Sequence, residues 1–182
     1  MIILYLLLLF GLGIYSYSQI DLNLTLLQTP WFLGFKNLMI QLGYFNRPLS
    51  TVIFTILTLL LFVCYFVWVF RSEKISFKTI TIGILGIGLL GVVSYPAFSH
   101  DLFNYIFDAR IAVFHHANPY TSTALMFPAD TWTRFMQWTH RSYPYGPTFL
   151  PISILFYILG LNKFIWTLIL FKSMLVGSFL GT

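Results

Sequence analysis

TVIFTILTLLLFVCYFVWVF, residues 51–70, is the stretch of this sequence that decides the fold. It carries no charged side chain, and a helix of about 20 apolar residues crosses the roughly 30 Å of hydrocarbon in a bilayer. Because lipid offers the backbone no hydrogen bonds, a crossing segment must be a helix or part of a closed barrel. The run is continuous rather than alternating, which favours the helix. We therefore expect an all-α membrane protein.

The composition of the whole chain supports this expectation. Of the 182 residues, 8% are charged and 58% are hydrophobic, whereas soluble domains carry about 25% charged residues. A chain with so few charges cannot cover a water-facing surface. Its net charge of +5 includes no basic stripe, so we expect no nucleic-acid partner. The lone Cys64 excludes an intrachain disulfide and is predicted to be a small buried hydrophobe.

Four further stretches are apolar enough to form spans, and the fold is predicted to be a multi-pass transmembrane helical bundle. They are residues 2–20, 79–98, 148–161 and 164–182. The first could instead be a signal peptide, but it lacks a basic n-region. The chain ends inside an apolar run, so we expect residues 1–182 to be a single transmembrane domain, incomplete at its C-terminus, from a longer protein.

Basic residues in the short loops predict the orientation in the cell (plasma) membrane. Arg71, Lys74 and Lys78 mark the loop after residues 51–70 as cytoplasmic. Alternation then places residues 21–50 and 99–147 on the outer face. Within the first of these loops, the aromatic and sparsely polar stretch 31–44 is typical of an amphipathic interfacial helix.

The outer loop 99–147 holds most of the reactive side chains of the chain. Any extramembrane loop is polar, but that does not explain why acidic residues are so few elsewhere, so we expect the function to lie here. The loop contains three of the five acidic residues and all four histidines: Asp101, Asp108, Asp130, His100, His115, His116 and His140.

Residues 100–116 predict an amphipathic helix on the outer membrane surface, with Ser99 as its cap. Its polar face would turn towards a cavity or, alternatively, towards water. That face would hold Asp101, Asn104, Tyr105, Asp108, Ala112 and His115. Arg110 falls on the opposite, apolar side, where it is expected to reach a lipid phosphate by snorkelling and to be a poor partner for Asp108.

Two proline-containing stretches follow in the same loop. Asn118-Pro119-Tyr120 predicts a helix stop with a turn. Arg141-Ser-Tyr143-Pro-Tyr145-Gly-Pro147 predicts a stiff segment that leads into the fourth span. Its arginine and tyrosines suit a sugar or lipid-phosphate ligand, although tyrosines also occur at headgroup level without a specific function.

The residues leave metal binding open. His115 and His116 are adjacent, unlike the i, i+4 pair of helical zinc sites, so we expect no zinc. A hard divalent cation such as Mg²⁺ or Mn²⁺ could be held by Asp101 with Asp108, but water or a substrate phosphate would have to complete its shell.

The order of these motifs resembles the GT-C membrane glycosyltransferases. The motifs are Ser99-His-Asp101-Leu-Phe-Asn-Tyr105, Asp108-Ala-Arg110, Asn118-Pro-Tyr120 and Tyr143-Pro-Tyr145-Gly-Pro147. The likeness covers about residues 95–175. It is closest to the polyprenol-phosphate-mannose-dependent mannosyltransferases, and bacterial alpha-mannopyranosyltransferases look similar around these motifs.

The resemblance implies inverting transfer of a hexose, mannose in the nearest relatives, from a polyprenyl-phosphate donor to a glycolipid or glycan acceptor at the outer face. It implies that Asp101 is the general base and that the protein is surrounded by membrane lipid. The implied substrate-binding residues are Tyr105, Asp108, Arg110, Tyr120, Arg141, Tyr143 and Tyr145. A different class remains open: a non-catalytic membrane transport or lipid-binding protein whose polar loop binds a headgroup.

Overall fold

The computed structural model describes residues 2–24, 26–71 and 75–181. Within these ranges the chain is helical and contains no strand, so the all-α prediction is confirmed. The α-helices are α1 (Ile2–Ser16), α2 (Pro30–Ile40), α3 (Arg47–Phe70), α4 (Phe77–Val93), α5 (Asp101–Val113), α6 (Phe149–Leu159) and α7 (Phe164–Leu180).

Two of these helical segments are long and apolar enough to cross a membrane. They are Ile2–Gln19, in which α1 continues into a 3₁₀ turn, and the 24-residue α3. The helices found at the other predicted spans are shorter, and α6 has only 11 residues, about 17 Å at 1.5 Å per residue. The multi-pass bundle therefore stays a prediction. Lys74, used above for the orientation, lies outside the described residues, as does Thr182 at the end of the last predicted span.

The helix predicted over residues 79–98 is α4, and it ends at Val93. The physical reason is Pro96, because proline disfavours helical backbone at the residue before it. Ser94 is already extended, with φ −64° and ψ 151°. Its hydroxyl donates to the carbonyl of Leu90 at 2.6 Å, which also accepts the Ser94 N–H at 2.8 Å.

The structure divides into two compact units, of which the first comprises Met1–Ala97 and Val176–Thr182. In this unit α1 packs against α3 and α4. The ring of Tyr5 lies 4.9 Å from that of Trp68, and the Tyr17 hydroxyl donates to the Val93 carbonyl at 2.6 Å. Cys64 is a free, buried thiol, as predicted.

The stretch predicted as an interfacial helix is helical, although its position in a membrane is untested. Pro30 starts α2 at a position where its missing N–H costs nothing. The helix continues as a π-helical turn, Gln41–Phe45. A Cβ at Gly43 would lie 1.7 Å from the carbonyl oxygen of Ser18. Since that atom belongs to the backbone and cannot swing aside, only glycine allows this close approach.

The second unit, Phe98–Leu175, is built around α5, which is not the surface helix that was predicted. Nine residues of α5 are buried, and they include polar ones: Leu102, Phe103, Asn104, Ile106, Phe107, Asp108, Ala109, Arg110 and Ile111. The helix packs against α6, and Phe107 and Ile111 pack on Ala124 of the following loop. Because protein covers both faces, α5 forms the core of this unit.

The ends of α5 lie close to the predicted ones. The helix starts at Asp101 and not at His100, and the Ser99 hydroxyl accepts a hydrogen bond from the Asp101 N–H at 3.2 Å. It ends at Val113, before His116, whose φ of 52° is left-handed. The chain thereby turns back over α5.

Candidate active site

Arg110 is held inside the second unit by side chains of the protein. Its Nε donates to Asp130 Oδ2 at 2.5 Å, and its Nη1 donates to the Tyr157 hydroxyl at 2.8 Å and to Asn162 Oδ1. Only 6% of the residue is exposed. The snorkelling prediction is therefore wrong, because the loop after α5 and the end of α6 cover this side of the helix.

Asp130 joins two parts of the loop to α5. Its Oδ2 also accepts from His115 Nε2 at 2.8 Å, and its Oδ1 accepts from the Trp132 N–H at 3.0 Å. Burial raises the pKa of this carboxyl, but hydrogen bonds from Arg110, the Trp132 N–H and His115 lower it by a larger amount. The resulting pKa lies below its ordinary value. The carboxylate is thus ionised at neutral pH and ties the loop to the helix.

Aromatic rings enclose the same ion pair. The guanidinium carbon of Arg110 lies 4.0 Å from the ring centre of Phe114 and 4.2 Å from that of Trp132. The ring of His115 stacks on Phe127 at 4.0 Å. Desolvated cation–π contacts are each worth up to about 2 kcal/mol. The cluster stabilises the loop, and no sequence pattern predicted it.

The four tyrosines singled out in the sequence come together from three places in the chain. The hydroxyls of Tyr105 and Tyr145 are 3.0 Å apart. The ring of Tyr143 lies 5.2 Å from that of Tyr120 and 5.5 Å from that of Tyr145. The Tyr143 N–H donates to the Pro119 carbonyl at 2.9 Å. This hydrogen bond fixes the 143–147 segment on the turn at 118–120.

The charged residues predicted for the site lie close to these tyrosines. Burial raises the pKa of Tyr105, and so do the hydroxyl of Tyr145 and the charge of Asp101, whereas Arg141 lowers it. Arg141 extends over the ring of Trp138, 5.6 Å from its centre. Asp101 and Arg141 therefore both act on one hydroxyl.

Asp108 is the buried acid of this cluster, with 5% of the residue exposed. Burial raises its pKa from 3.8 to about 7, although the nearby Arg141 lowers it in part. Burial also raises the pKa of Tyr143 to about 12, and the adjacent Tyr120 and Asp108 contribute to that rise. At neutral pH a carboxyl of this kind is partly protonated, so it can both donate and accept a hydrogen bond.

Two buried polar atoms among the described residues lack a hydrogen-bond partner, namely Asn104 Oδ1 and Tyr143 OH. Their residues are 6% and 3% exposed. Leaving such an atom unpaired costs about 1–3 kcal/mol, and each such case in a native structure calls for an explanation. Asn104 lies one helical turn before Asp108, and its Nδ2 donates to the Trp138 carbonyl at 3.4 Å. Sequence patterning placed Asn104 on the polar face but gave it no role.

We call the surface formed by these side chains the polar wall. It offers carboxyl, amide, phenol and guanidinium groups, which suit a ligand with several hydroxyls and a phosphate. It consists of Asp101, Asn104, Tyr105, Asp108, Tyr120, Arg141, Tyr143 and Tyr145. Within residues 2–24, 26–71 and 75–181, no three His, Cys, Asp or Glu side chains converge as they would around a metal ion.

Helices apolar enough to cross a membrane, together with such a wall, fit a membrane-associated glycosyltransferase. A family model described as the alpha-(1->6)-mannopyranosyltransferase N-terminal domain matches residues 27–181, and the chain belongs to this family. This family consists of mannosyltransferases, so the chain is part of a glycosyltransferase, and the resemblance to mannosyltransferases found in the sequence is confirmed. No curated protein and no solved structure matches the chain.

Proposed function

We propose that this protein transfers a mannosyl group, with inversion, from a polyprenyl-phosphate donor to a hydroxyl of a glycolipid or glycan at the outer face of the plasma membrane. The family supports the mannosyl group. The two membrane-length helices support a donor that is itself embedded in lipid. The observation that carries the proposal is the polar wall on α5, where carboxyls and a guanidinium lie beside buried atoms that still lack partners.

Asp101 is the proposed general base. It lies in the first turn of α5 and is half-buried, so an acceptor hydroxyl can reach it. The carboxylate takes the proton of that hydroxyl while the oxygen forms a bond to the anomeric carbon. The bond from that carbon to the phosphate oxygen breaks, and the polyprenyl phosphate leaves with the electron pair. The sugar passes through an oxocarbenium-like transition state.

Arg141 is the proposed stabiliser of the leaving phosphate. Its guanidinium acts electrostatically on Tyr105 and Asp108, so it belongs to the polar wall, and a planar guanidinium binds phosphate through two hydrogen bonds. Arg110 is less suited to this task, because its Nε and Nη1 already have partners in the protein. Its contribution is to hold α5 and the loop together.

The remaining residues of the wall are proposed to bind the sugar. Asp108 exchanges hydrogen bonds with a sugar hydroxyl, and Asn104 Oδ1 and the Tyr143 hydroxyl each gain a partner. The rings of Tyr105, Tyr120 and Tyr145 offer flat surfaces for the apolar face of the sugar. A divalent cation would be held by Asp101 with Asp108 and would help to neutralise the donor phosphate; chelation tests this additional proposal directly.

The donor is tested with the purified chain in lipid nanodiscs. Polyprenyl phosphates labelled in mannose or in glucose, and labelled GDP-mannose, are supplied separately with a membrane lipid extract as acceptor, with and without EDTA. We expect label to move only from the mannosyl lipid. Transfer from GDP-mannose but not from the lipid donor would overturn the proposed donor. Loss of transfer in EDTA, restored by Mg²⁺ or Mn²⁺, would establish the cation.

The outer-face assignment is tested by cysteine labelling in intact cells. In a Cys64→Ala background, a cysteine replaces His116, which is exposed in the loop after α5, or Lys78, which is exposed at the start of α4. A membrane-impermeant maleimide should label position 116 before lysis and position 78 only after it. The reverse pattern would place the polar wall on the cytoplasmic side.

A further inference from the structure

The first unit contains a cavity of about 270 Å³ whose lining is polar. It lies where the π-helical turn after α2 meets α1 and the start of α3. Its lining residues are Tyr15, Gln19, Gly43, Tyr44, Arg47, Ser50 and Thr51. The lining contains no aliphatic side chain, and its hydroxyl, amide and guanidinium groups suit a polar ligand.

Arg47 is the one charged residue of this lining, and no ion pair or hydrogen bond of its guanidinium appears among the described residues. Asp21, the acidic residue described in this unit, does not neutralise it. The Asp21 carboxylate accepts from the Asn23 N–H at 2.9 Å and interacts electrostatically with Lys36 and Tyr44. Arg47 is exposed at this open pocket, so its guanidinium presents a positive charge to which an anion can bind.

Several hydrogen-bond donors remain for that anion. The hydroxyls of Tyr15 and Ser50 lie 2.9 Å apart, and since one bond uses one proton, the other hydroxyl proton is left over. The amide of Gln19 uses one N–H on Ser18 Oγ at 3.1 Å and keeps a second. With the guanidinium of Arg47, these donors come from α1, the 3₁₀ turn that follows it and α3, and they line the cavity. This set suits the several acceptor oxygens of a phosphate.

The position of the cavity indicates where that phosphate comes from. Arg47 is the first residue of α3, a helix with the length and hydropathy of a membrane span. In a membrane-spanning α3 the cavity would lie at the polar end of the span, at headgroup depth. Large apolar side chains are exposed next to it: Phe45 is 73%, Leu49 47% and Val52 53% exposed. Acyl chains attached to a phosphate in the cavity would cover them.

We propose that this cavity binds the phosphate of a membrane lipid headgroup. The site consists of first-unit residues alone, shares no residue with the polar wall, and does not depend on the proposed transferase mechanism. Arg47 supplies the charge, the Tyr15–Ser50 pair and Gln19 supply neutral donors, and the exposed face at the start of α3 receives the acyl chains.

The test measures binding of short-chain lipids to the detergent-purified chain by native mass spectrometry. Dioctanoyl phosphatidic acid is the probe, and dioctanoylglycerol, which lacks only the phosphate, is its control. We expect the phosphatidic acid to bind and dioctanoylglycerol not to compete. Inorganic phosphate binding as tightly as the lipid would overturn the lipid assignment, since the site would then recognise the free ion.

Matched variants assign the binding to the cavity. Arg47→Gln should weaken the binding of phosphatidic acid about tenfold or more, because the charge-assisted hydrogen bonds to the phosphate are lost. Lys78→Gln removes the same charge from an exposed position outside the cavity and should leave binding unchanged. Arg47→Lys keeps the charge and should retain part of the affinity. Unchanged binding in Arg47→Gln, or equal losses in Arg47→Gln and Lys78→Gln, would overturn the proposal; a melting temperature for each variant excludes misfolding as the cause.

Discussion

Arg110 and Asp130, 20 positions apart in the sequence, are joined by a bond of 2.5 Å between Nε and Oδ2, with side chains only 8% and 3% exposed. This ion pair links the core helix α5 to the long loop that carries Arg141 and three of the four tyrosines of the polar wall. The geometry of the wall therefore depends on an interaction that lies outside it.

We expect Arg110→Gln to lower the free energy of unfolding by about 3–5 kcal/mol, since it leaves the Asp130 carboxylate buried without its cation. Chemical unfolding of the chain in detergent measures the loss. Arg134→Gln, at an exposed position of the same loop, should change stability by less than about 0.5 kcal/mol. The double variant Arg110→Gln/Asp130→Asn should recover part of the loss, because no unpaired charge remains. A single variant as stable as Arg134→Gln would show that the pair does not hold the loop.

Asp101→Asn should reduce mannosyl transfer by about 10²–10⁴-fold, the typical contribution of a positioned general base. The side chain is half-buried and forms no ion pair within the described residues, so the melting temperature should hardly change. Initial rates with the labelled lipid donor test this, and Asp21→Asn in the first unit is the matched control. Wild-type rates in Asp101→Asn would assign the base elsewhere, with Asp108 as the next candidate.

Asp108 should make stability fall as the pH rises. Its pKa of about 7 in the fold exceeds the ordinary 3.8, so its contribution is complete below pH about 4 and is lost as the pH rises through about 7. The amide side chain of the Asp108→Asn variant cannot ionise. Between pH about 4 and 8, the free energy of unfolding of this variant should therefore rise relative to that of the wild type by as much as about 4 kcal/mol, at 1.36 kcal/mol per pH unit.

Asp130 provides a control of opposite sign for that experiment. Its pKa lies below the ordinary value, so its contribution is present at neutral pH and is lost on acidification through its folded pKa. Asp130→Asn should therefore be less stable than the wild type at pH about 7, and the difference should shrink in acid. Unfolding curves at several pH values measure the stability of both variants, Asp108→Asn and Asp130→Asn. Stability that varies with pH in parallel for the wild type and Asp108→Asn would refute a raised pKa at Asp108.

Tyr143→Phe should separate binding from folding. The Tyr143 hydroxyl is buried without a partner, so its removal should leave stability unchanged or slightly improved. If a sugar hydroxyl is its partner, the KM for the donor should rise about three- to tenfold. Tyr145→Phe is the comparison, because it breaks the bond to Tyr105 and should cost about 0.5–1.5 kcal/mol of stability. An unchanged KM in Tyr143→Phe would remove this hydroxyl from the sugar site.

Local sequence patterns predicted the features that are determined by residues adjacent in the sequence. The helices predicted at 51–70 and 164–182 are present as α3 and α7, and the start of α5 was predicted to within one residue. Hydropathy and proline geometry were sufficient for these features and for the turn at 118–120. The motifs that carried the family resemblance also named the tyrosines of the polar wall. These features need no knowledge of what packs against them.

The errors come from contacts between distant residues. Helical projection assumed that α5 has one wet face and one lipid face, and it therefore sent Arg110 to lipid. In the structure the chain returns over α5 with Asp130, and Tyr157 of α6 completes the partners of Arg110. No pattern within α5 contains that information. No role was predicted for Asn104 either. One of its buried atoms lacks a hydrogen-bond partner, and this is visible only once the surrounding residues are in place.

The contact of Gly43 with the Ser18 backbone has an evolutionary consequence. Any Cβ at position 43 would overlap a carbonyl oxygen at 1.7 Å, and the same residue lines the polar cavity of the first unit. In a saturation library selected for folded protein, codon 43 should retain glycine alone, with even alanine depleted. Codon 34 should accept many residues, since a Cβ at Gly34 meets no atom within 4 Å.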